Sequence, residues 1–145
     1  MKSTKQVEVN CSVEFLWEVL TKPEYTKLYM FNCAVSTNWE VGSDIIWKGF
    51  FNGFDTHQKG KVISIYKNKK LSYSLFDINT DLEDIPENYI IVSYTLHDFN
   101  GMAHLTITNE TFDGSTKRMS HLKQGWDIII GKLKEIAEEE STILL

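Results

Sequence analysis

Cysteine, proline and long apolar runs are all scarce in this chain, and each shortage argues against a class of protein. Of the 145 residues, two are cysteine and two are proline. Cys11 and Cys33 show neither C-x-x-C spacing nor a nearby histidine, which argues against a metal centre or a redox motif. No apolar run approaches membrane-spanning length, and the first ten residues, MKSTKQVEVN, lack the apolar core of a signal peptide. We therefore predict a reduced, cytoplasmic protein whose two thiols are small buried apolar groups.

Clustered positive charge is also missing. The chain has 20 acidic and 15 basic residues, for a formal net charge of −5, and the two signs are mixed along most of its length. A nucleic-acid interface needs a concentrated basic surface. We interpret the short cluster Lys67, Lys69 and Lys70 as a solvated turn. The composition thus predicts no nucleic-acid partner and no membrane insertion, and we expect a monomer or weak dimer.

A long amphipathic helix is the most informative feature of the C-terminal part. Apolar residues recur at three- and four-residue steps between Thr116 and Glu140, which places them on one broad stripe. The stripe consists of Met119, Leu122, Trp126, Ile129, Ile130, Leu133 and Ile136. So long a stripe has to be buried, and the partner that the chain offers is an antiparallel sheet curved around it. This arrangement predicts a pocket between helix and sheet.

The N-terminal part predicts an edge strand followed by two short helices. Thr4–Asn10 alternates like a strand, and Ser12 is placed to cap the helix that follows. Pro23 ends that helix and is well placed to begin a second one running to about Tyr29 or Met30. The buried face of the first helix is predicted to consist of Val13, Leu16, Trp17 and Leu20.

Two Asn-Gly dipeptides predict β-hairpins with defined registers. A two-residue turn at Asn52-Gly53 gives the inward pairs Phe51 with Phe54, Gly49 with Thr56, Trp47 with Gln58, and Ile45 with Gly60. A turn at Asn100-Gly101 pairs Leu96 with Leu105 and Tyr94 with Ile107 inside, and His97 with His104 outside. Between the hairpins, Leu71, Tyr73 and Leu75 face inward. The acidic loop from Asp77 to Asn88 is predicted to be a mobile, solvated connection.

These elements predict one α+β domain over residues 1–140, with residues 141–145 as a disordered tail. A curved antiparallel sheet of about six to seven strands wraps around the long C-terminal helix, and two short helices follow the first strand.

Several segments in this order resemble a known superfamily. They are Val13–Glu24, Val41-Gly42, Gly60–Val62, Leu71–Tyr73 and Gly125-Trp126. Together they resemble the SRPBCC (START-like, Bet v 1-like) superfamily, and within it the branch named after the activator of heat-shock protein 90 ATPase. The resemblance covers nearly the whole chain, from about Lys5 to Glu140.

The resemblance implies a helix-grip fold with a hydrophobic cavity between the C-terminal helix and the sheet, and no cofactor. It also implies a possible chaperone partner and a stress-response role. The chain departs from the co-chaperone architecture because it lacks the additional N-terminal domain through which eukaryotic activators engage the chaperone. It also has Ser43 after Gly42, where many relatives carry a second glycine.

The inward side chains define the candidate ligand-binding site. Buried Trp and Tyr need partners for their polar tips, which a cavity with water or ligand supplies. Thr56 and Gln58 are the candidate polar handles, and the alternative for Gln58 is a hydrogen bond to Trp47 Nε1 or to a buried water. The candidate lining residues are Trp17, Tyr29, Trp47, Phe51, Thr56, Gln58, Tyr73, Tyr94, Trp126, Ile129, Ile130 and Leu133.

Two glycines and two histidines have alternative interpretations. Gly125 lies at the edge of the buried stripe, where glycine costs about 1 kcal/mol relative to alanine. Either the helix backbone approaches the sheet closely there, or the glycine leaves room for a ligand. Gly131 lies on the opposite face and has no explanation from the sequence. His97 and His104 are neighbours on the outer face, but no carboxylate or thiol is evident to complete a metal site, so a solvated pair is expected.

The sequence predicts a non-catalytic container for a small, largely hydrophobic ligand, lipid-like or aromatic. No nucleophile, base and orienting group converge by spacing, and no inward carboxylate or histidine is evident, so no catalytic residue is assigned. One alternative is a chaperone cofactor whose acidic loop or outer sheet face engages a partner. Another is an enzyme of the cyclase or aromatase type.

Overall fold

The computed structural model describes residues 1–144, which form seven β-strands, three α-helices and one short 3-10 turn at Pro86–Asn88. In chain order the elements are β1 (Lys2–Val9), α1 (Val13–Thr21), α2 (Pro23–Tyr29), β2 (Ala34–Ser36), β3 (Asp44–Phe51), β4 (Phe54–Tyr66), β5 (Lys70–Asp77), β6 (Ile90–Phe99), β7 (Met102–Glu110) and α3 (Thr116–Leu144).

The strands form one antiparallel sheet in the order β1-β7-β6-β5-β4-β3-β2. The predicted α+β architecture is confirmed, including the position of β1 at a sheet edge. The pairing of β4 with β5 shifts between Val62 and Ser64, where β4 is irregular. Nearby, a Cβ atom at Gly60 would overlap the backbone carbonyl of Ser74, so glycine is required for the close approach of these two strands.

Both hairpins have the predicted register. Trp47 pairs with Gln58 across β3 and β4, and Tyr94 pairs with Ile107 across β6 and β7. The turn residues Asn52-Gly53 and Asn100-Gly101 all have positive φ, between 52° and 85°. This conformation matches the right-handed twist of the flanking strands, and asparagine and glycine adopt it at low cost.

The N-terminal helices also follow the sequence. The Ser12 side chain accepts a hydrogen bond from the Phe15 backbone N–H at 3.1 Å, as a helix N-cap does. Pro23 stands at the start of α2, which ends at Tyr29. Leu16, Trp17 and Leu20 are buried, and Val13 is half-buried against the same core.

Helix α3 has its predicted stripe turned to the sheet, but it extends further than predicted. All seven stripe residues are buried or half-buried. The helix continues to Leu144, so residues 141–144 are helical where a disordered tail was expected, and residue 145 lies outside the described part. Glu138–Glu140 are good helix formers with no glycine or proline after them. Thr142 Oγ1 also donates to the Glu138 carbonyl at 2.9 Å.

The acidic loop Asp77–Asn88 is exposed, but hydrogen bonds and an ion pair tie it to the sheet. Asn79 Nδ2 donates to the Asp55 carbonyl at 2.9 Å. The Lys59 ammonium forms an ion pair with Asp84. The loop is thus exposed, as predicted, and two of its side chains also contact β4.

The core lies between the inner face of the sheet and the three helices. Both cysteines belong to it as free thiols, Cys11 with 6% and Cys33 with 2% of its surface exposed. Burial raises the pKa of the Cys11 thiol to about 11, which keeps it neutral near pH 7. Across residues 1–144, no helix is long and apolar enough to cross a membrane.

Candidate ligand-binding site

A cleft of about 260 Å³ opens between the N-terminal half of α3 and the inner face of the sheet. The residues that follow α2 and the start of the loop Asp77–Asn88 complete its rim. Most of its wall is apolar, and it is formed by Met30, Phe31, Leu75, Phe76, Ile90, Leu122, Trp126 and Ile129. Its polar side chains are Gln58, Asp77, Thr80, Arg118 and His121. Apolar walls with a few polar groups are typical of small-molecule sites.

Arg118 holds the mouth of the cleft together. Its guanidinium donates to Asp113 Oδ2 and to the Asn88 carbonyl, both at 2.8 Å, and so connects the start of α3 to the end of the loop. The Ser115 backbone N–H and then the Arg118 guanidinium lower the pKa of the Asp113 carboxyl. The positive charge of Arg118 is thus already matched, and its remaining N–H groups can serve a polar ligand group at the rim.

Gly125 lies in the wall of the cleft. A Cβ atom at this position would meet no atom within 4 Å. The close approach of the α3 backbone to the sheet, one of the two interpretations of this glycine, is therefore wrong. Space remains in front of the helix there. Gly131 is exposed, and a Cβ atom at that position would also meet nothing within 4 Å.

Three of the twelve predicted site residues line the cleft, namely Gln58, Trp126 and Ile129. Gln58 is half-buried on β4, and Trp126 has 5% of its surface exposed. Ile130 and Leu133 continue the stripe of α3 further into the core, and Trp17 packs in the same core from α1.

Behind the cleft, a row of aromatic side chains carries polar atoms into the core. The rings of Trp47 and Tyr73 lie 5.5 Å apart, those of Tyr73 and Tyr94 lie 6.3 Å apart, and those of Tyr94 and Trp126 lie 6.4 Å apart. Two buried atoms in this region, Trp47 Nε1 and Gln58 Oε1, lack a hydrogen-bond partner among the described residues. The hydrogen bond between Gln58 and Trp47, offered as an alternative above, is therefore not formed.

Three other predicted site residues, which do not line the cleft, contact different parts of the fold. The Tyr29 hydroxyl donates to the Leu20 carbonyl at 2.8 Å, which joins α2 to α1. Thr56 Oγ1 accepts from the Cys33 thiol at 3.2 Å. Phe51, expected to face inward, is 40% exposed because it is the last residue before the hairpin turn, and its ring packs on Phe31.

The outer face has a carboxylate that the sequence analysis did not place. Glu8 on β1 pairs with His104 on β7, and the distance from its Oε1 to His104 Nε2 is 3.7 Å. β1 and β7 pair although they are far apart in the sequence, so neither hairpin register reveals this contact. Within residues 1–144, no group of three His, Cys, Asp or Glu side chains is arranged to hold a metal ion.

The sequence analysis also missed the polar rim of the cleft. The position of Thr80 depends on the path of the loop, which no periodicity describes. A signal for the helical part did exist. Arg118 and Gly125 stand four residues before and three residues after Leu122, so both lie on the side of α3 that carries the predicted stripe.

A curved antiparallel sheet that holds a C-terminal helix, with a cleft between the two, defines the helix-grip class of proteins. The family model described as Activator of Hsp90 ATPase homolog 1-like protein matches residues 10–138. The chain belongs to this family, which confirms the resemblance inferred from its sequence. A sequence comparison with curated proteins found no match.

Solved structures share the fold over nearly the whole chain. ChR145 from Cytophaga hutchinsonii is 30% identical, with 98% of this chain and 97% of that chain covered and a TM-score of 0.80. The Aha1 dimer from Colwellia psychrerythraea is 22% identical, with 95% and 96% covered and a TM-score of 0.74. DynU16, from the dynemicin biosynthetic locus, is 18% identical, with 97% and 48% covered and a TM-score of 0.79. At these lower identities the similarity shows the fold alone.

Proposed function

We propose that this protein binds a small, largely apolar molecule in the cleft between α3 and the sheet. The observation that supports this most is a space of about 260 Å³ with mostly apolar walls and a few polar side chains, among them Gln58, Asp77 and Arg118. Apolar walls bind the body of a small molecule, and the few polar groups orient it. We also propose that the protein is cytoplasmic, as its sequence predicts.

We further propose that the molecule leaves the cleft unchanged. Asp77 and His121 line the mouth, so a carboxylate and a histidine are nearer than the sequence indicated. They belong to opposite walls, and Asp77 Oδ1 already accepts from the Asn79 backbone N–H at 2.9 Å. Farther in, burial raises the pKa of Tyr73 well above its ordinary value, so this phenol stays protonated and cannot act as a general base near pH 7.

Intrinsic tryptophan fluorescence tests the binding proposal, because Trp126 lines the cleft and Trp47 lies behind it. Titration with a panel of fatty acids, flavonoids and naphthalene is expected to give a saturable change for at least one ligand class. Chromatography of the ligand after its extraction from the complex should show the same compound that was added. A flat response to the whole panel would contradict the proposal.

Family membership supports a second candidate, a module that binds a chaperone. The loop Asp77–Asn88 exposes Asp81 and Glu83 beside the apolar side chains of Leu82 and Ile85, so it offers a mixed surface to a partner. Recovery of a heat-shock protein 90 from native lysate, lost when Asp81 and Glu83 are both changed to Ser, would favour this function. Asp84 is left intact because it pairs with Lys59.

A further inference from the structure

Asp77 brings a carboxylate to the inner face of the sheet, in the wall of the cleft. It is the last residue of β5, and the alternation that turns Tyr73 and Leu75 inward also turns Asp77 inward. Its cross-strand partner on β4 is Gln58, another residue of the same wall. The sheet therefore places one acidic group beside the apolar side chains that a ligand would contact.

The carboxylate of Asp77 is only partly satisfied within the protein. The side chain is half-buried, and its Oδ1 atom accepts from the Asn79 backbone N–H at 2.9 Å. Among residues 1–144, it forms no ion pair with a lysine, arginine or histidine side chain. A carboxylate that loses part of its hydration without gaining an opposite charge is unfavourable. Its Oδ2 atom can accept a hydrogen bond from a ligand.

The arginine at the mouth of the cleft does not supply the missing positive charge. The Arg118 guanidinium pairs with Asp113 at 2.8 Å, so these two side chains are neutral together. The negative charge of Asp77 is thus left uncompensated. The aromatic rings of Phe31 and Trp126 belong to the same cleft, and the faces of such rings attract cations. Both features favour a positively charged ligand group over a negatively charged one.

We infer that the ligand of the cleft is a hydrophobic amine whose protonated amino group pairs with Asp77. This inference rests on the proposed function and narrows its ligand class. The ammonium group donates to Asp77 Oδ2, and a hydrogen bond between two charged groups is stronger than a neutral one. The apolar body of the ligand lies against Trp126 and Ile129, in the space in front of Gly125.

Three ligands with the same two-ring body test the inference: 2-naphthylmethylamine, 2-naphthylmethanol and 2-naphthoate, titrated into the full chain near pH 7 and followed by NMR. They are similar in size and carry a positive, a neutral and a negative polar group. We expect the amine to bind about three- to tenfold more tightly than the alcohol, an effect between those of an exposed and a buried ion pair. We expect 2-naphthoate to bind most weakly, because Asp77 repels its charge.

A matched pair of variants assigns the effect to Asp77. Asp77→Asn removes the charge but keeps a side-chain oxygen for the Asn79 N–H, so the turn is retained. In this variant, the affinity ratio of amine to alcohol is expected to fall to about one. Asp81→Asn makes the same change of charge at an exposed position of the same loop, and it is expected to keep the wild-type ratio. Should Asp77→Asn fail to fold, the wild-type ranking of the three ligands still decides the matter.

The two levels of the proposal fail differently. Equal affinity for the amine and the alcohol, or tightest binding of 2-naphthoate, would overturn the inference about the amino group and leave the cleft as a binding site. A wild-type ratio in Asp77→Asn, or an equal loss of the ratio in Asp81→Asn, would also overturn it. Binding of none of the three ligands would count against the proposed function and, with it, this inference.

Discussion

Trp126→Ala is expected to lower the free energy of unfolding by about 3–5 kcal/mol, the usual range for emptying a buried aromatic position. Trp126 has 5% of its surface exposed, and its ring packs on Tyr94 while it forms the wall of the cleft. The substitution removes the contact between α3 and the aromatic row, so ligand affinity should be lost as well. Urea denaturation followed by circular dichroism measures the first effect, and a naphthalene titration measures the second.

Ile128→Ala is the control for Trp126→Ala on the same helix. Ile128 is 53% exposed, and its truncation is expected to change stability by no more than about 0.5 kcal/mol. A cost below about 1 kcal/mol for Trp126→Ala would mean that α3 does not pack on the sheet as described.

Gly125→Leu is expected to abolish ligand binding while making the protein more stable. Glycine in a helix interior costs about 1 kcal/mol relative to good helix formers, and a side chain at this position meets no atom within 4 Å at its Cβ. The leucine side chain would occupy the space that the ligand needs. Thermal or urea denaturation should show the gain in stability, and titration with naphthalene should show the loss of binding. The two effects have opposite directions, so unfolding cannot explain the loss.

Gly131→Leu is the matched control. Gly131 lies in the same helix, is exposed, and has equally free space around its Cβ position. We expect a similar gain in stability and wild-type ligand affinity. If both variants bind ligand like the wild type, the ligand does not occupy the space in front of Gly125. A loss of stability in both would contradict the helical environment described for them.

The elements and their registers follow from local signals in the sequence. Asn52-Gly53 and Asn100-Gly101 define the hairpin turns, and once a turn is placed the period of two assigns every side chain to a face. The stripe of α3 likewise identifies its buried side. The extension of α3 to Leu144 was missed because no glycine or proline marks its end.

The cleft itself was only partly predictable. Gln58, Trp126 and Ile129 were identified because they face inward from elements with clear periodicity. The inward pattern does not distinguish a side chain that lines a cleft from one packed in the core behind it, which is where Trp17 and Leu133 lie. That distinction depends on the three-dimensional path of the loop and on hydrogen bonds between distant segments.

Residue type alone does not show whether a polar, inward-facing side chain can bind a ligand or is already hydrogen-bonded within the protein. Tyr29 and Thr56 were candidates because their side chains are polar and face inward. Their hydroxyl groups instead pair with the Leu20 carbonyl and the Cys33 thiol. Gln58 remains a candidate for the opposite reason, since its Oε1 atom is buried without a partner among residues 1–144.

A crystal structure of the protein with 2-naphthylmethanol tests the central claim most directly. The account predicts the two-ring body between α3 and the sheet, in the space of about 260 Å³ in front of Gly125, with its face against Trp126. Ligand density on the outer face of the sheet, with the cleft between α3 and the sheet unoccupied at saturating ligand, would contradict it.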